Sequence, residues 1–162
     1  MEVFKSVVAW MWTLHLLWAL WLAAGVFSSA VVLAQVKRAQ DLSQRYFGMR
    51  VARRLMMVFI LPGVLITGAL GFYVVTLFQY SFALGWIRAS IVLYLGVLGA
   101  ILFYQLPYYG KAVRAGEAAL RGGPSAEFDR LALAKGPAML THLNALAILV
   151  MIILMAMKPT LQ

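Results

Sequence analysis

Three side chains inside the long apolar runs of this sequence are charged or titrate near neutral pH, and they are the residues best suited to do chemistry. His15 lies in the first run, Arg88 in the third and His142 in the fourth. An imidazole can bind a metal or exchange a proton, whereas a guanidinium only donates hydrogen bonds. Ionisable groups are costly in a bilayer and normally face a bundle interior. We therefore take these three residues as the starting points for a functional site.

The two histidines do not form a convincing pair. A haem with two axial histidines needs both at one depth, because they approach the same iron from opposite sides. His15 and His142 differ by roughly 10 Å in expected depth, at about 1.5 Å of rise per residue. His15 alone is either a single axial metal ligand or a structural histidine bonded to a carbonyl, and both readings stay open. We interpret His142 as an interface residue.

Arg88 needs a partner for its five N–H donors. No Asp or Glu occurs in any apolar run. The partner is then either a lipid phosphate reached by snorkelling, or an anionic ligand such as a porphyrin propionate or a quinone-type oxygen. Tyr73 and Tyr94 are expected at similar depths. We predict that His15, Arg88, Tyr73 and Tyr94, with Thr67 beside them, line one cavity between the first three spans. If a cofactor binds there, these four residues are the ones expected to hold it, with His15 as metal ligand.

The elements that must position these residues follow from composition. The chain of 162 residues is 64% hydrophobic with a mean hydropathy of +0.90, which excludes an ordinary soluble domain. About 20 apolar residues are enough to cross a hydrocarbon core as a helix. We predict spans at about residues 7–34, 55–79, 84–107 and 138–157 in a single membrane domain, 1–162. The predicted fold is an all-α membrane protein, a four-transmembrane-helix up-down antiparallel bundle.

Two features within the spans predict local packing. Pro62 falls inside the second span and frees a carbonyl one turn earlier, and Thr67 is the hydroxyl we expect to satisfy it. Gly96 and Ala100 give the third span a face of small residues. Small residues allow helix backbones to approach closely, so we predict that this face meets another helix.

The net charge of +9 is concentrated in two connections rather than on a nucleic-acid-binding surface. Because basic loops stay cytoplasmic, we predict cytoplasmic connections, both termini outside and a location in a bacterial inner membrane. The absence of cysteine excludes disulfides and thiolate metal sites. The first connection holds six basic residues: Lys37, Arg38, Arg45, Arg50, Arg53 and Arg54. The second holds five: Lys111, Arg114, Arg121, Arg130 and Lys135. The remaining three are Lys5, Arg88 and Lys158.

Three segments carry a resemblance to a known superfamily: LHLLWALWLAAGVF with His15, RRLMMVFILPGVLITGALGFYVV with Pro62, Thr67 and Gly71, and GWIRASIVLYLGVLG. Together they resemble the small four-helix membrane superfamily of HemJ-type protoporphyrinogen oxidases, CopD-type membrane domains and related uncharacterised proteins. The resemblance implies the four-helix fold and a haem or porphyrin pocket, with the first-helix histidine carried over onto His15.

The sequence departs from the superfamily pattern where that pattern carries the oxidase residues. Ser90 stands in place of a third-helix lysine, with Arg88 half a turn earlier. A tyrosine–histidine pair is replaced by Tyr104 and Gln105, and the entry to the last helix contains Asn144 without the usual motif. The resemblance therefore implies the fold and a pocket rather than the oxidase reaction.

Two functions fit the sequence, and the absence of the third-helix lysine puts the first of them slightly ahead. The first is a non-catalytic accessory subunit of a larger membrane complex of respiratory or redox type, which would contact the bilayer and other membrane subunits or copies of itself. The second is a membrane protein that binds haem b or a related porphyrin, with His15 as axial ligand. No nucleic acid is expected as a partner.

Overall fold

The structure is a computed structural model that describes residues 2–158, with side chains described from residue 6. Residues 2–158 are helical apart from short connections and contain no strand. Two π-helical segments, Met56–Ile60 and Ala100–Gln105, join α2 to α3 and α4 to α5 without a break. The helices are α1 (Glu2–Arg38), α2 (Leu42–Leu55), α3 (Leu61–Leu77), α4 (Gly85–Gly99), α5 (Leu106–Leu120), α6 (Ala126–Ala132) and α7 (Lys135–Met157).

Four continuous helical stretches are long and apolar enough to cross a membrane: Ser6–Arg38, Leu42–Leu77, Gly85–Leu120 and Ala126–Met157. Short connections reverse the chain between them, so consecutive stretches run in opposite directions. The predicted fold class, an all-α bundle with four membrane-spanning helices, is confirmed. A stretch of 36 residues is about 54 Å long, which exceeds a ~30 Å hydrocarbon core. The helices thus extend beyond the predicted spans at the end that carries the basic connections.

This basic end forms a helical layer of its own. Asp41 caps the N-terminus of α2, where its carboxylate accepts hydrogen bonds from the Ser43 hydroxyl and, at 3.3 Å, from the Gln44 amide. Arg45 then joins α2 to α6 through a 2.7 Å ion pair with Asp129. Phe128 of α6 is fully buried beneath this contact layer. The first connection is therefore fixed to the second by side chains that the sequence places far apart.

The core lies where α1 packs along α2 and α3. A Cβ atom at Gly63 would lie 3.0 Å from the Cα atom of Leu22, so only glycine permits the observed approach of α3 to α1. Val26, Met56 and Val64 are buried at this contact. Close packing of small and branched residues replaces the hydrophobic effect as the force between helices in lipid.

Pro62 sits in the first turn of α3, directly after the first π-helical segment. It has no N–H to donate to the carbonyl of Val58, four residues earlier. That carbonyl accepts a 3.2 Å hydrogen bond from the indole Nε1 of Trp21, whose ring stacks on Phe59 with centroids 4.5 Å apart. The prediction that Thr67 satisfies this carbonyl is wrong, because a threonine hydroxyl reaches only three or four residues back along its helix.

The prediction of close packing at Gly96 is also wrong for this chain. Gly96 is exposed, and no atom lies within 4 Å of the position its Cβ would take. The buried face of α4 instead carries Trp86, Ser90 and Val97, which are spaced by about one or two helical turns. Gly96 lies off that face, and Ala100 is only half-buried.

Candidate functional site

A cavity of about 310 Å³ lies between α1, α3, α4 and α7, at the end of the bundle opposite the basic connections. This is within the size range of sites that bind small molecules. Its walls are almost entirely apolar and rich in aromatic rings: Trp12, Phe72, Phe78, Tyr80, Phe82 and Trp86. Such a cavity favours an apolar ligand drawn from the bilayer.

His15 is the one histidine that lines this cavity among the described residues, and it is only 6% exposed. Its Nδ1 atom lies 3.1 Å from the backbone oxygen of Thr67. A carbonyl oxygen only accepts hydrogen bonds, so Nδ1 must carry the proton and donate. Nε2 is then left with its lone pair and has no hydrogen bond to any described residue. Histidines that bind metals typically have their other ring nitrogen fixed in this way.

Gly71 makes room for the His15 ring. A Cβ atom at Gly71 would lie 3.1 Å from His15 Cε1 and 3.5 Å from Nδ1. Thr67 and Gly71 are one turn apart on α3, so the residue that holds the imidazole and the residue that accommodates it share a face. The structure therefore joins His15 to the two second-span positions that carried the resemblance.

The remaining polar groups of the cavity wall are few. Ser90 donates a 2.8 Å hydrogen bond to the Trp86 carbonyl within its own helix. The Tyr94 ring packs directly over Gly68, and its edge contacts Phe72 with centroids 6.4 Å apart. The Thr67 hydroxyl is buried and has no hydrogen-bond partner among the described residues. His15, Thr67 and Tyr94 thus share one cavity, as the sequence predicted.

Arg88 and Tyr73 do not line this cavity, so the predicted common cluster with His15 is wrong for these two residues. Arg88 is exposed on α4, next to the buried Ile87 but turned about 100° further around the helix. Tyr73 is 50% exposed on α3. Similar depth does not place side chains on the same face, and an outward-facing arginine can reach lipid phosphates by snorkelling. A cofactor-binding role for either residue stays a prediction.

The cation at the cavity is Lys158, which sequence reasoning treated only as a basic residue after the last span. Lys158 ends α7 in a left-handed backbone conformation, with φ 44°. Its Nζ atom donates a 2.8 Å hydrogen bond to the Tyr80 hydroxyl and lies 5.1 Å from the centre of that ring. The sequence signal that could have identified Lys158 was its position after the last span, because α7 ends at the same side of the bundle as the α3–α4 connection.

His142 lies outside the cavity, on an exposed face of α7. Its Nδ1 atom is 2.6 Å from the carbonyl of Ala138, one turn earlier in the same helix. The imidazole is thus held within its own helix. The interface role we assigned to His142 remains a prediction.

A second set of buried polar residues, Gln105, Thr141 and Asn144, joins the second π-helical segment to α7. The sequence did not predict that these residues bond to one another. Gln105 donates to Thr141 Oγ1 at 3.1 Å and accepts from Asn144 Nδ2 at 2.9 Å. Thr141 in turn donates to the Pro137 carbonyl at 2.9 Å. Gln105 and Asn144 are two of the positions that depart from the superfamily pattern, and here they bond to each other. These bonds satisfy buried polar groups on neighbouring helices, which indicates a structural role.

The donor set limits what metal species can bind. Among the described residues, no three His, Asp or Glu side chains gather into a metal-binding group. A bare ion needs three or four protein ligands. A metalloporphyrin brings four nitrogens of its own and requires only an axial ligand. His15, with Nε2 free and Nδ1 fixed, fits that single role.

Four apolar helices around a ligand-sized cavity define a polytopic membrane protein. A family model described as "Predicted integral membrane protein (DUF2269)" matches residues 9–159, and the chain belongs to this family. No curated protein matches the chain, and no solved structure matches it. The protein is therefore an integral membrane protein in contact with the lipid bilayer.

Proposed function

We propose that this protein binds haem b or a closely related porphyrin from the membrane, with His15 as the axial ligand. The observation that carries the proposal is the state of the His15 ring. It is buried in the cavity wall, its Nδ1–H is fixed on the Thr67 carbonyl, and Nε2 makes no bond to a described residue. When bound, haem would supply iron-centred redox chemistry.

The cavity walls support a planar apolar ligand. Phe72, Phe82 and Trp86 line the cavity with aromatic rings. Aromatic rings stack favourably on other π systems, with centroids 4.5–7 Å apart. The resemblance to the HemJ and CopD superfamily points in the same direction, and superfamily membership is part of this proposal. Because Ser90 replaces the family's third-helix lysine, we propose binding rather than oxidase activity.

The proposal is tested by titrating haem into the purified apoprotein in a neutral detergent. We expect a saturable, equimolar spectral change in the wild type and in His142→Ala, whose imidazole lies outside the cavity. His15→Ala should lose the spectrum of a nitrogen-ligated haem because it lacks the axial donor. Matching melting temperatures would show that His15→Ala is folded. An unchanged spectrum in a folded His15→Ala variant would overturn the proposal.

A second candidate, an accessory subunit of a larger membrane complex, is favoured by the exposed face of α4. Gly96 has open space around it, and Phe103 on the same helical stretch is 85% exposed. A helix of another subunit, or of a second copy, can approach a backbone closely at such a position. Gly96→Leu should then release a co-purifying partner while haem binding is unchanged. Identical co-purification of the variant would remove this candidate.

A further inference from the structure

The cavity has a polar group at each end of an otherwise apolar volume. His15 lies towards its interior, and Lys158 lies where α7 ends. Lys158 is the one lysine or arginine among the described residues that lines this cavity. Lys158 thus places a cation at the cavity mouth, and the packing of the apolar walls does not require it.

The position of Lys158 is set by two contacts. Its left-handed backbone conformation ends α7 and directs the side chain towards the α3–α4 connection. There the ammonium group donates to the Tyr80 hydroxyl at 2.8 Å, and the Tyr80 ring packs edge-on against Trp86 with centroids 5.6 Å apart. An ammonium has three donors and the phenol accepts one of them. The others can bind an anion.

The carboxylates whose side chains the structure describes all lie far from Lys158. Asp41, Glu117, Glu127 and Asp129 lie in the basic-end connections; the fifth acidic residue, Glu2, begins α1, and its side chain is outside the described part of the chain. The hydrogen bond that Lys158 makes to described residues is to a neutral phenol. A neutral quinone or an alkyl chain would fill the aromatic part of the cavity and leave this cation unused.

We infer that Lys158 and Tyr80 form the site that binds the carboxylate groups of the ligand. The cavity therefore selects an acidic porphyrin with free propionate groups. This inference rests on the proposed function and specifies which end of the ligand lies where. The macrocycle lies among Phe72, Phe82 and Trp86, and the carboxylates lie at the Lys158 mouth. Charge-assisted hydrogen bonds to the ammonium discriminate the acid from its ester.

The test compares metal-free protoporphyrin IX with its dimethyl ester, titrated into detergent-solubilised protein and followed by fluorescence. The variants are Lys158→Gln, Lys158→Arg and, for comparison, Arg88→Gln at the cation that the sequence analysis assigned to the ligand. Arg88 is a cation in the same half of the bundle that does not line the cavity. For each ligand the ratio of wild-type to variant affinity is compared, which cancels differences in partition into micelles.

We expect Lys158→Gln to weaken binding of the diacid by roughly tenfold, the equivalent of one charge-assisted contact, and to leave the diester unaffected. Lys158→Arg should retain most of the preference, and Arg88→Gln should behave as the wild type. Equal effects of Lys158→Gln and Arg88→Gln would show general attraction of anions and overturn the inference. Equal binding of acid and ester would overturn it while leaving porphyrin binding intact. If neither porphyrin binds, the inference is overturned. The proposed function is judged separately by the haem titration of wild type and His15→Ala, because a metal-free porphyrin has no iron for His15 to bind.

Discussion

The imidazole of His15 and the backbone carbonyl of Thr67 meet across two membrane-spanning helices, with 3.1 Å between Nδ1 and the oxygen. The bond fixes the tautomer of a histidine that lies 52 residues away along the chain. It leaves Nε2 as the only ring nitrogen able to accept a metal or a proton.

Gly71→Val should displace the His15 ring. The shortest distance from a Cβ at this position to the ring is 3.1 Å, and the added methyl groups have no space. Overpacking of this kind costs about 1–3 kcal/mol. We expect a lower melting temperature and loss of haem binding. Gly96→Val is the matched control, since open space surrounds that glycine. Equal effects of the two substitutions would contradict the prediction.

Trp21→Phe should destabilise the protein by leaving the Val58 carbonyl without its indole donor. The aromatic stacking on Phe59 is retained in this variant, so the effect isolates the hydrogen bond. We expect a cost of about 1 kcal/mol, measured by thermal unfolding in detergent.

A substitution at Pro62 tests whether the lost indole hydrogen bond causes the destabilisation by Trp21→Phe. In a Pro62→Ala background the new N–H can bond the Val58 carbonyl, so Trp21→Phe should cost less there than in the wild type. Trp10→Phe, at a position 64% exposed, serves as the control. Additive effects of Trp21→Phe and Pro62→Ala would show that the indole does not replace the missing donor.

Asn144→Leu should cost about 1 kcal/mol of stability, because it leaves the buried Gln105 oxygen without its 2.9 Å donor. Adding Gln105→Leu removes the unpaired group, so the double variant should recover part of the loss. Unfolding of both variants in detergent measures the coupling. If the double variant is destabilised as much as Asn144→Leu or more, the role of the Gln105–Asn144 pair is not limited to satisfying each other's hydrogen bonds.

The N-cap of α2 should make stability pH-dependent on the acid side. The Ser43 hydroxyl, and then the Gln44 amide, lower the pKa of Asp41 below its usual value of 3.8. A carboxyl group whose pKa is lower in the folded state stabilises the fold above its unfolded pKa, and this is lost as pH falls through the folded value. The difference in melting temperature between wild type and Asp41→Ala should therefore be constant near neutral pH and shrink below about pH 4. A constant difference down to pH 3 would contradict this assignment.

The orientation in the membrane remains a prediction of the charge asymmetry. Alkaline phosphatase fused after Gln162 should be active, and a fusion near Gly122 in the second basic connection should be inactive. The phosphatase folds only outside the cytoplasm. The reverse pattern of activity would contradict the orientation and place the cavity mouth on the cytoplasmic side.

The sequence predicted the four membrane-spanning helices, because length and hydropathy are properties of single segments. His15, Thr67 and Tyr94 were correctly assigned to one cavity on this basis. Arg88 and Tyr73 were not, because which face of a helix turns inward depends on neighbours, and these apolar helices carry little amphipathic signal. Lys158 was missed as a cavity residue because its placement depends on how α7 ends. The Trp21–Val58 bond follows from the approach of α1 to the first π-helical segment, which no single segment encodes.

The most direct test of the central claim is chemical rescue of the axial position. His15→Gly should bind haem weakly and lack the spectrum of a histidine-ligated haem, because no other described histidine lines the cavity. Added imidazole should enter the space left by the side chain and restore the wild-type absorption spectrum. His142→Gly should need no imidazole. If His15→Gly binds haem with the wild-type spectrum, or if imidazole restores nothing in a folded variant, His15 is not the axial ligand.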